Sequence, residues 1–338
     1  MIQPFVSVVV PAYNEENLIG DCLGSILASD YRNLEIIVVD DRSEDRTADI
    51  ACEYNVRLVR RLSRGGIAAA RNDGIAAAKG EITAFVDADC IVDKAWLTLL
   101  LSHYTDDKIT GVGGLIKTRK SGIVASYRSF ADRERWADRG DPVEIKYLPG
   151  GNSSYRTEVL RKVKGFDQAF AQPRGHEAFE MGYRLTKDGY RLFGEPKAIV
   201  WHSREDSLRN WFGSGFELGN SAVAFLSRYR IGEISEAQLP PMAFIVLLIL
   251  LFSALVGLVP LFPVIGVVIA GSLVEVVRAA YRVGEAVVHY RNAKYIVMFP
   301  VEITVRALTY AGYARGILSI CSRKVSRLLM WVSHCWCF

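Results

Sequence analysis

The chain is poor in cysteine, with six in 338 residues, and Cys22, Cys52 and Cys90 in its first part show no metal-type spacing. That excludes a zinc module and a disulfide framework, and it predicts reduced thiols in a cytosolic compartment. Residues Met1 to Pro4 lack the basic start and apolar core of a secretion signal, so the first domain is expected to begin in the cytosol. No internal repeat or low-complexity segment is present. Neither sign of charge dominates: 41 Lys plus Arg stand against 37 Asp plus Glu. One stretch, Pro240 to Val274, has no charged residue at all, and Glu275 to Phe338 then carries nine Lys or Arg against three Glu. An apolar stretch followed by a basic tail points to a bilayer rather than to nucleic acid.

What is present in the first part is an alternation of two periods. Val- and Ile-rich runs at Phe5 to Val10, Leu34 to Val39, Val56 to Leu62 and Ile82 to Val86 are separated by amphipathic runs at Glu16 to Ala28, Asp45 to Tyr54 and Ile67 to Ala78. This pattern predicts a doubly wound, mainly parallel α/β sheet. Such sheets bind ligands beyond the carboxyl ends of their strands, and polar clusters follow three of these strands. They are Pro11-Ala12-Tyr13-Asn14-Glu15, Asp40-Asp41-Arg42-Ser43 and Asp87-Ala88-Asp89.

Each cluster has a chemistry. Asp87 and Asp89, one residue apart in a turn, can meet one hard divalent cation such as Mn²⁺ or Mg²⁺. One of Asp40 and Asp41 can accept a hydrogen bond from a base N–H, while the other can cap the next helix. Tyr13 offers a face for stacking. Gly65-Gly66 opens a helix with Arg71 about one turn in, and both a helix N-terminus and an Arg favour phosphate oxygens.

Together these pieces resemble the family 2 glycosyltransferases, whose catalytic domain has the GT-A fold. The resemblance continues through Pro149-Gly150-Gly151-Asn152-Ser153-Ser154-Tyr155-Arg156 and Gly165-Phe166-Asp167. It implies that Pro11, Ala12, Tyr13, Glu15 and one of Asp40 and Asp41 surround the nucleoside. It also implies that Asp87 meets the ribose or metal, that Asp89 holds the metal on the diphosphate, and that His202 lies near both. Arg71 would stabilise charge growing on the leaving diphosphate, and transfer would invert the anomeric centre.

One position departs from the family. Its usual base lies in Glu-Asp-x-Glu or Glu-Asp-x-Asp, whereas this chain reads Glu177-Ala178-Phe179-Glu180. Either Glu177 or Glu180 takes over, with Arg184 placed to occupy Glu180 at the i+4 position. Alternatively, the acceptor is a polyprenyl phosphate, already anionic and in need of no base, or the change inactivates the protein.

The C-terminal part is expected to bind a membrane. Met242 to Val259 and Val264 to Val277 read as a hairpin of two spans with Arg228, Arg230, Arg278, Arg282 and Arg291 at its ends, which places both ends on the cytoplasmic side. Ser207 to Phe225 suits an amphipathic interfacial or core helix, and Tyr295 to Ile320, with Glu302, Arg306 and Arg315, an interfacial or bundle-facing helix or a third span. The expected domains are therefore a catalytic domain over 1–204, a juxtamembrane helix over 205–239, a transmembrane hairpin over 240–280, and an interfacial helix and basic tail over 281–338. The expected activity is a membrane-anchored transfer of sugar from a nucleotide sugar, with UDP the expected nucleotide, to a lipid-linked acceptor at the cytosolic leaflet. Anionic lipid headgroups are the expected membrane partner. A processive polysaccharide synthase and an inactive donor-binding scaffold are the rivals, the former disfavoured by the lack of a Gln-x-x-Arg-Trp sequence.

Overall fold

A computed structural model describes residues 3–119, 122–131, 136, 140–170, 177–203, 208–209, 211–216, 228–229, 261–311 and 315; the side chains of 128–129, 131 and 261–274 fall outside that description. The chain forms two compact units, Met1–Glu205 and Asp206–Phe338.

The first unit alternates strands and helices as far as its fourth strand: β1 (Val6–Ala12), α1 (Ile19–Leu27), β2 (Leu34–Asp40), α2 (Thr47–Cys52), β3 (Arg57–Arg60), α3 (Ile67–Ala77) and β4 (Ile82–Val86). It continues with β5 (Cys90–Val92), α4 (Trp96–Leu101), β6 (Ile109–Thr118), α5 (Ile123–Ala131), β7 (Val143–Ile145), β8 (Asn152–Arg156), α6 (Thr157–Lys162), α7 (Glu177–Lys187) and β9 (Arg191–His202). These strands make one sheet in the order β3-β2-β1-β4-β8-β6-β9-β5, with β7 paired to β9.

The parallel sheet expected from the sequence holds for β3, β2, β1 and β4. Beyond β4 the sheet is mixed, because β8 enters antiparallel to both β4 and β6 and β5 runs antiparallel to β9. Alternate side chains leave each strand on opposite faces, and two cores result. Val8, Val10, Val38 and Ala84 pack with Leu23 and Trp96 on one face. Val9, Ile37, Val39 and Phe85 pack with Ala68, Leu160 and Met181 on the other.

Register then fixes which loops meet. Ala12 pairs with Asp40, so the turns after β1 and β2 begin level with each other. Val86 pairs with Asn152, which sets Asp87 beside Gly151, and Cys90 pairs with His202, which sets Asp89 beside Ser203.

In the second unit, α8 (Leu261–Tyr290) contains the second expected apolar run, and a 3-10 turn, Ala293–Met298, leads into helical residues 299–311. Among the described residues no helix is long and apolar enough to cross a membrane. The run Met242 to Val259, Arg230 and the basic tail beyond Arg315 lie outside the described residues. Glu302 and Arg306 are turned inward: Glu302 is 2% exposed and accepts from Arg306 Nε at 3.0 Å. A bundle-facing placement is one of the alternatives expected for this segment, beside an interfacial helix and a third span. Trp211 is buried, and Gly215 packs against Val305, so the described part of the expected interfacial helix contributes to the interior of its unit.

Candidate active site

The turn after β1 is stitched to the turn after β2. Asn14, at a φ of 53°, donates its N–H to Ser43 Oγ at 3.0 Å, and its Oδ1 accepts from the Glu44 N–H at 2.9 Å. Glu15 N–H donates to Thr47 Oγ1 at 2.7 Å and Glu16 N–H to Asp45 Oδ2 at 3.1 Å. Pro11 and Ala12 end β1 in buried positions just before this junction. Beyond them the guanidinium of Arg64 lies 3.8 Å from the centroid of the Tyr13 ring. Tyr13 therefore has a stacking partner from its own chain, a planar cation of the kind aromatic faces favour. Nothing in the sequence assigns Arg64 this place; its one signal is its position immediately before the Gly65-Gly66 pair.

The two adjacent acids on β2 separate in role. Asp41 accepts from the N–H groups of Gly65 and Gly66 at 2.8 and 2.7 Å and pairs with Arg61 Nε at 2.9 Å. Both its oxygens are committed to shaping the entry to α3, where Gly66 takes a φ of 81° that few other residues tolerate. Of the two roles expected for this pair, Asp41 has the one of shaping the helix entry. Asp40 accepts from Ser43 N–H at 2.9 Å through Oδ1, and its Oδ2 lies 3.6 Å from the exposed Arg60.

Arg71 is also engaged within the protein. Its side chain is 1% exposed and lies between two carboxylates, with Nη2 3.0 Å from Asp87 Oδ1 and Nη1 2.8 Å from Glu177 Oε1. A buried cation takes the nearest anions, and both Nη atoms of Arg71 pair with protein carboxylates. Burial alone would lower its pKa, but Asp87 and Glu177 outweigh it and the net direction is up. The Pro149-Gly150-Gly151 turn passes directly over this pair. A Cβ on Gly150 would come within 2.9 Å of Arg71 Nη2, and one on Gly151 would enter the Asp87 carboxylate. The glycines are there because the backbone has no room for a side chain.

Of the two acids on α7, Glu180 has 0% side-chain exposure and pairs with Arg184 Nε at 2.7 Å. Arg184 in turn donates to the carbonyls of Val163 and Gly165 at 2.7 Å each. Glu180 therefore anchors α7 through the i+4 pair with Arg184 that the sequence spacing allows. Glu177 instead joins Asp87 through Arg71, and its Oε2 has no partner among the described residues. Ala178, at the departed position, is 8% exposed.

Asp89 and His202 are brought together by β5 and β9, with His202 Nε2 3.2 Å from Asp89 Oδ2. The Asp89 carbonyl also accepts from Ser203 N–H at 2.8 Å, which pins the turn. Oxygen and imidazole donors suit Mn²⁺, and the Asp oxygen alone suits Mg²⁺. Among the described residues no three His, Cys, Asp or Glu side chains converge as a metal site. A pair of protein ligands is what a cation shared with substrate phosphates needs. Beneath the site, burial first and then Asp89 and Asp87 push the Cys22 thiol up, and burial with Asp87 and Asp89 does the same for Cys90. A separate cavity of about 500 Å³, lined by Tyr31, Leu34, Val56 and Arg57 among others, opens at the opposite, amino end of β2 and β3.

Asp87, Asp89, His202, Glu177 and the Tyr13–Glu15 turn thus share the carboxyl edge of the sheet. Residues 7–164 match the model of "Glycosyl transferase family 2". The chain is 29% identical over 233 residues to the pre-mycofactocin glycosyltransferase of Mycobacterium tuberculosis, covering 66% of this chain and 48% of that protein. It is 30% identical over 228 residues to the probable glycosyltransferase YdaM of Bacillus subtilis, covering 62% and 53%. The chain spans about half the length of these curated relatives. In fold it is similar to the mannosyltransferase PcManGT from Pyrobaculum calidifontis, solved in complex with GDP-Man and Mn²⁺. The TM-score is 0.60 at 20% identity, over 94% of this chain and 88% of that one.

Proposed function

The chain belongs to glycosyltransferase family 2 through residues 7–164, and from that premise we propose that it transfers a sugar, with inversion, from a UDP-sugar to a lipid-linked acceptor at the cytosolic face of a membrane. The observation that carries the catalytic part is the approach of Asp89 and His202 to 3.2 Å at the strand ends where Asp87 and the Tyr13 turn also lie. Asp89 and His202 would hold a divalent cation, as the presence of Mn²⁺ in the complex of the similar mannosyltransferase supports. When bound there, the cation supplies positive charge against the leaving nucleoside diphosphate.

The chain's own residues do the rest. The stitched turn 13–16 and Asp40 line the nucleoside side, and a base stacking on Tyr13 would compete with Arg64 for the same kind of contact. Asp87 is held by Arg71, so its carboxylate has a fixed direction as the sugar nucleotide enters. Where the acceptor nucleophile is a hydroxyl, Glu177 is the carboxylate assigned to take its proton, with Oε1 held by Arg71 and Oε2 buried without a hydrogen-bond partner among the described residues. A polyprenyl phosphate is already an anion, and with it Glu177 has no proton to remove.

The lipid-linked acceptor and the membrane location rest on the uncharged run Pro240 to Val274 and the basic stretch after it. A purified preparation incubated with UDP- and GDP-sugars, Mn²⁺ and lipid extracts tests the whole reading. Labelled lipid formed from a UDP-sugar supports it. Release of nucleotide with sugar found only on water-soluble products would reject the lipid acceptor.

A further inference from the structure

Past its first charged residue, Glu275, α8 shows an apolar line to the outside. Val277, Tyr281 and Val288 are 60%, 66% and 76% exposed, and their spacings of four and seven place them on one helix face. The opposite face is the buried one, with Ala279, Val283 and Ala286. The 3-10 turn that follows repeats the arrangement: Tyr295 and Met298 are inside, while Ile296 and Val297 are more than half exposed. A helix with one face in its own core normally turns polar residues outward, and this one sets Val277, Tyr281 and Val288 out among Arg278, half-buried Glu285 and His289.

Charge is sorted along the same surface. Among the described residues from 275 to 315, every exposed charged side chain is a cation: Arg278, Arg291, Lys294 and Arg315. Of the three acids, Glu285 is half-buried and the other two are held by arginines. Glu302 is held by Arg282 and Arg306, and Glu275 accepts from Arg278 at 2.6 Å and from Arg306 at 2.9 Å.

We propose that the face marked by Val277, Tyr281 and Val288, with Ile296 and Val297, rests on a bilayer bearing anionic headgroups. The apolar side chains enter the interfacial layer, and Arg278, Arg291 and Lys294 meet lipid phosphates. The helix begins within the uncharged run that ends at Val274, so the face continues an apolar segment rather than starting a new one. A second copy fits less well, because a twofold contact would set the same cations against each other. The inference rests on the membrane location proposed above and says which surface makes the contact.

The test uses the full chain in phosphatidylcholine vesicles with and without phosphatidylglycerol, carrying Tyr281→p-benzoyl-phenylalanine or, as a second variant, Val288→p-benzoyl-phenylalanine. Irradiation should give phospholipid adducts at either position, with a several-fold lower yield when phosphatidylglycerol is left out. Covalent protein dimers, or no lipid adduct from a chain that still cofractionates with vesicles, would overturn the assignment of this face while leaving the membrane location standing. Equal yields in both vesicles would overturn the assignment to anionic lipid. A chain that does not cofractionate with vesicles would overturn the location itself, and this inference with it.

Discussion

Arg71 Nη1 lies 2.8 Å from Glu177 Oε1, and this buried contact ties α3 to α7 across the top of the sheet. The same guanidinium holds Asp87, so one cation compensates two acids that would otherwise stand buried or half-buried without a partner. Arg71→Ala should destabilise the protein by about 3–5 kcal/mol, the range for breaking a buried pair. Denaturant unfolding reads this directly. A loss below about 1 kcal/mol would mean that the pair is not desolvated as its exposure indicates.

Glu177 and Glu180 are neighbours on α7 with opposite expected behaviour. Glu177→Gln removes the basic oxygen and weakens the buried Arg71 pair, so transfer to a hydroxyl acceptor should fall by about 10²- to 10⁴-fold, more than its loss of stability accounts for. Glu180→Gln weakens the Arg184 anchor, and its effect should appear as a lower unfolding midpoint. Initial rates beside unfolding curves for both variants check the division. Comparable rate losses with comparable stability losses would place both residues in the scaffold.

Gly151→Ala drives a Cβ into the Asp87 carboxylate, whereas a Cβ on Gly213 meets nothing within 4 Å. Donor affinity in the first variant should drop by at least about tenfold, which is about 1.4 kcal/mol, with no change in the second. Calorimetric titration with UDP measures both. Unaltered affinity in Gly151→Ala would show that Asp87 is not held at the donor.

Cys22 and Cys90 are buried, with thiol pKa values pushed up by burial and by Asp87 and Asp89, while Cys52 is exposed. Native alkylation followed by peptide mapping should modify Cys52 and spare the other two. The raised values also set a sign for stability. In the unfolded chain these thiols ionise at about pH 8.5. The stabilising contribution is therefore complete below that pH and is lost as pH rises above it. Urea midpoints on either side of pH 8.5 should fall toward the alkaline side, and Cys22→Ala should flatten part of that fall.

The parallel half of the sheet was legible because buried strands are written as continuous Val and Ile, as in Val8-Val9-Val10 and Ile36-Ile37-Val38-Val39. The antiparallel entry of β8 was not. Asn152-Ser153-Ser154-Tyr155 is polar in letters but buried in place, and its partners lie far off along the chain. For the same reason Asp87, Asp89 and Tyr13 could be read from strand ends, but the partners of Arg71 could not. A helix N-terminus with an Arg reads as a phosphate site, and nothing in its letters shows that Glu177, on a distant helix, pairs with that Arg. The separate duties of Asp40 and Asp41 depend on which one meets the Gly65 and Gly66 amides, and two identical adjacent letters carry no information about that.

The most direct test is Mn²⁺-dependent binding of UDP to the intact protein and to Asp89→Ala, with circular dichroism to confirm the fold. Titration should give saturable binding to the intact protein only when Mn²⁺ is present, and at least about tenfold weaker binding to the variant with an unchanged spectrum. Equal affinity in the two proteins, or binding indifferent to Mn²⁺, would contradict the claim that Asp89 and its neighbours at the strand ends receive the donor.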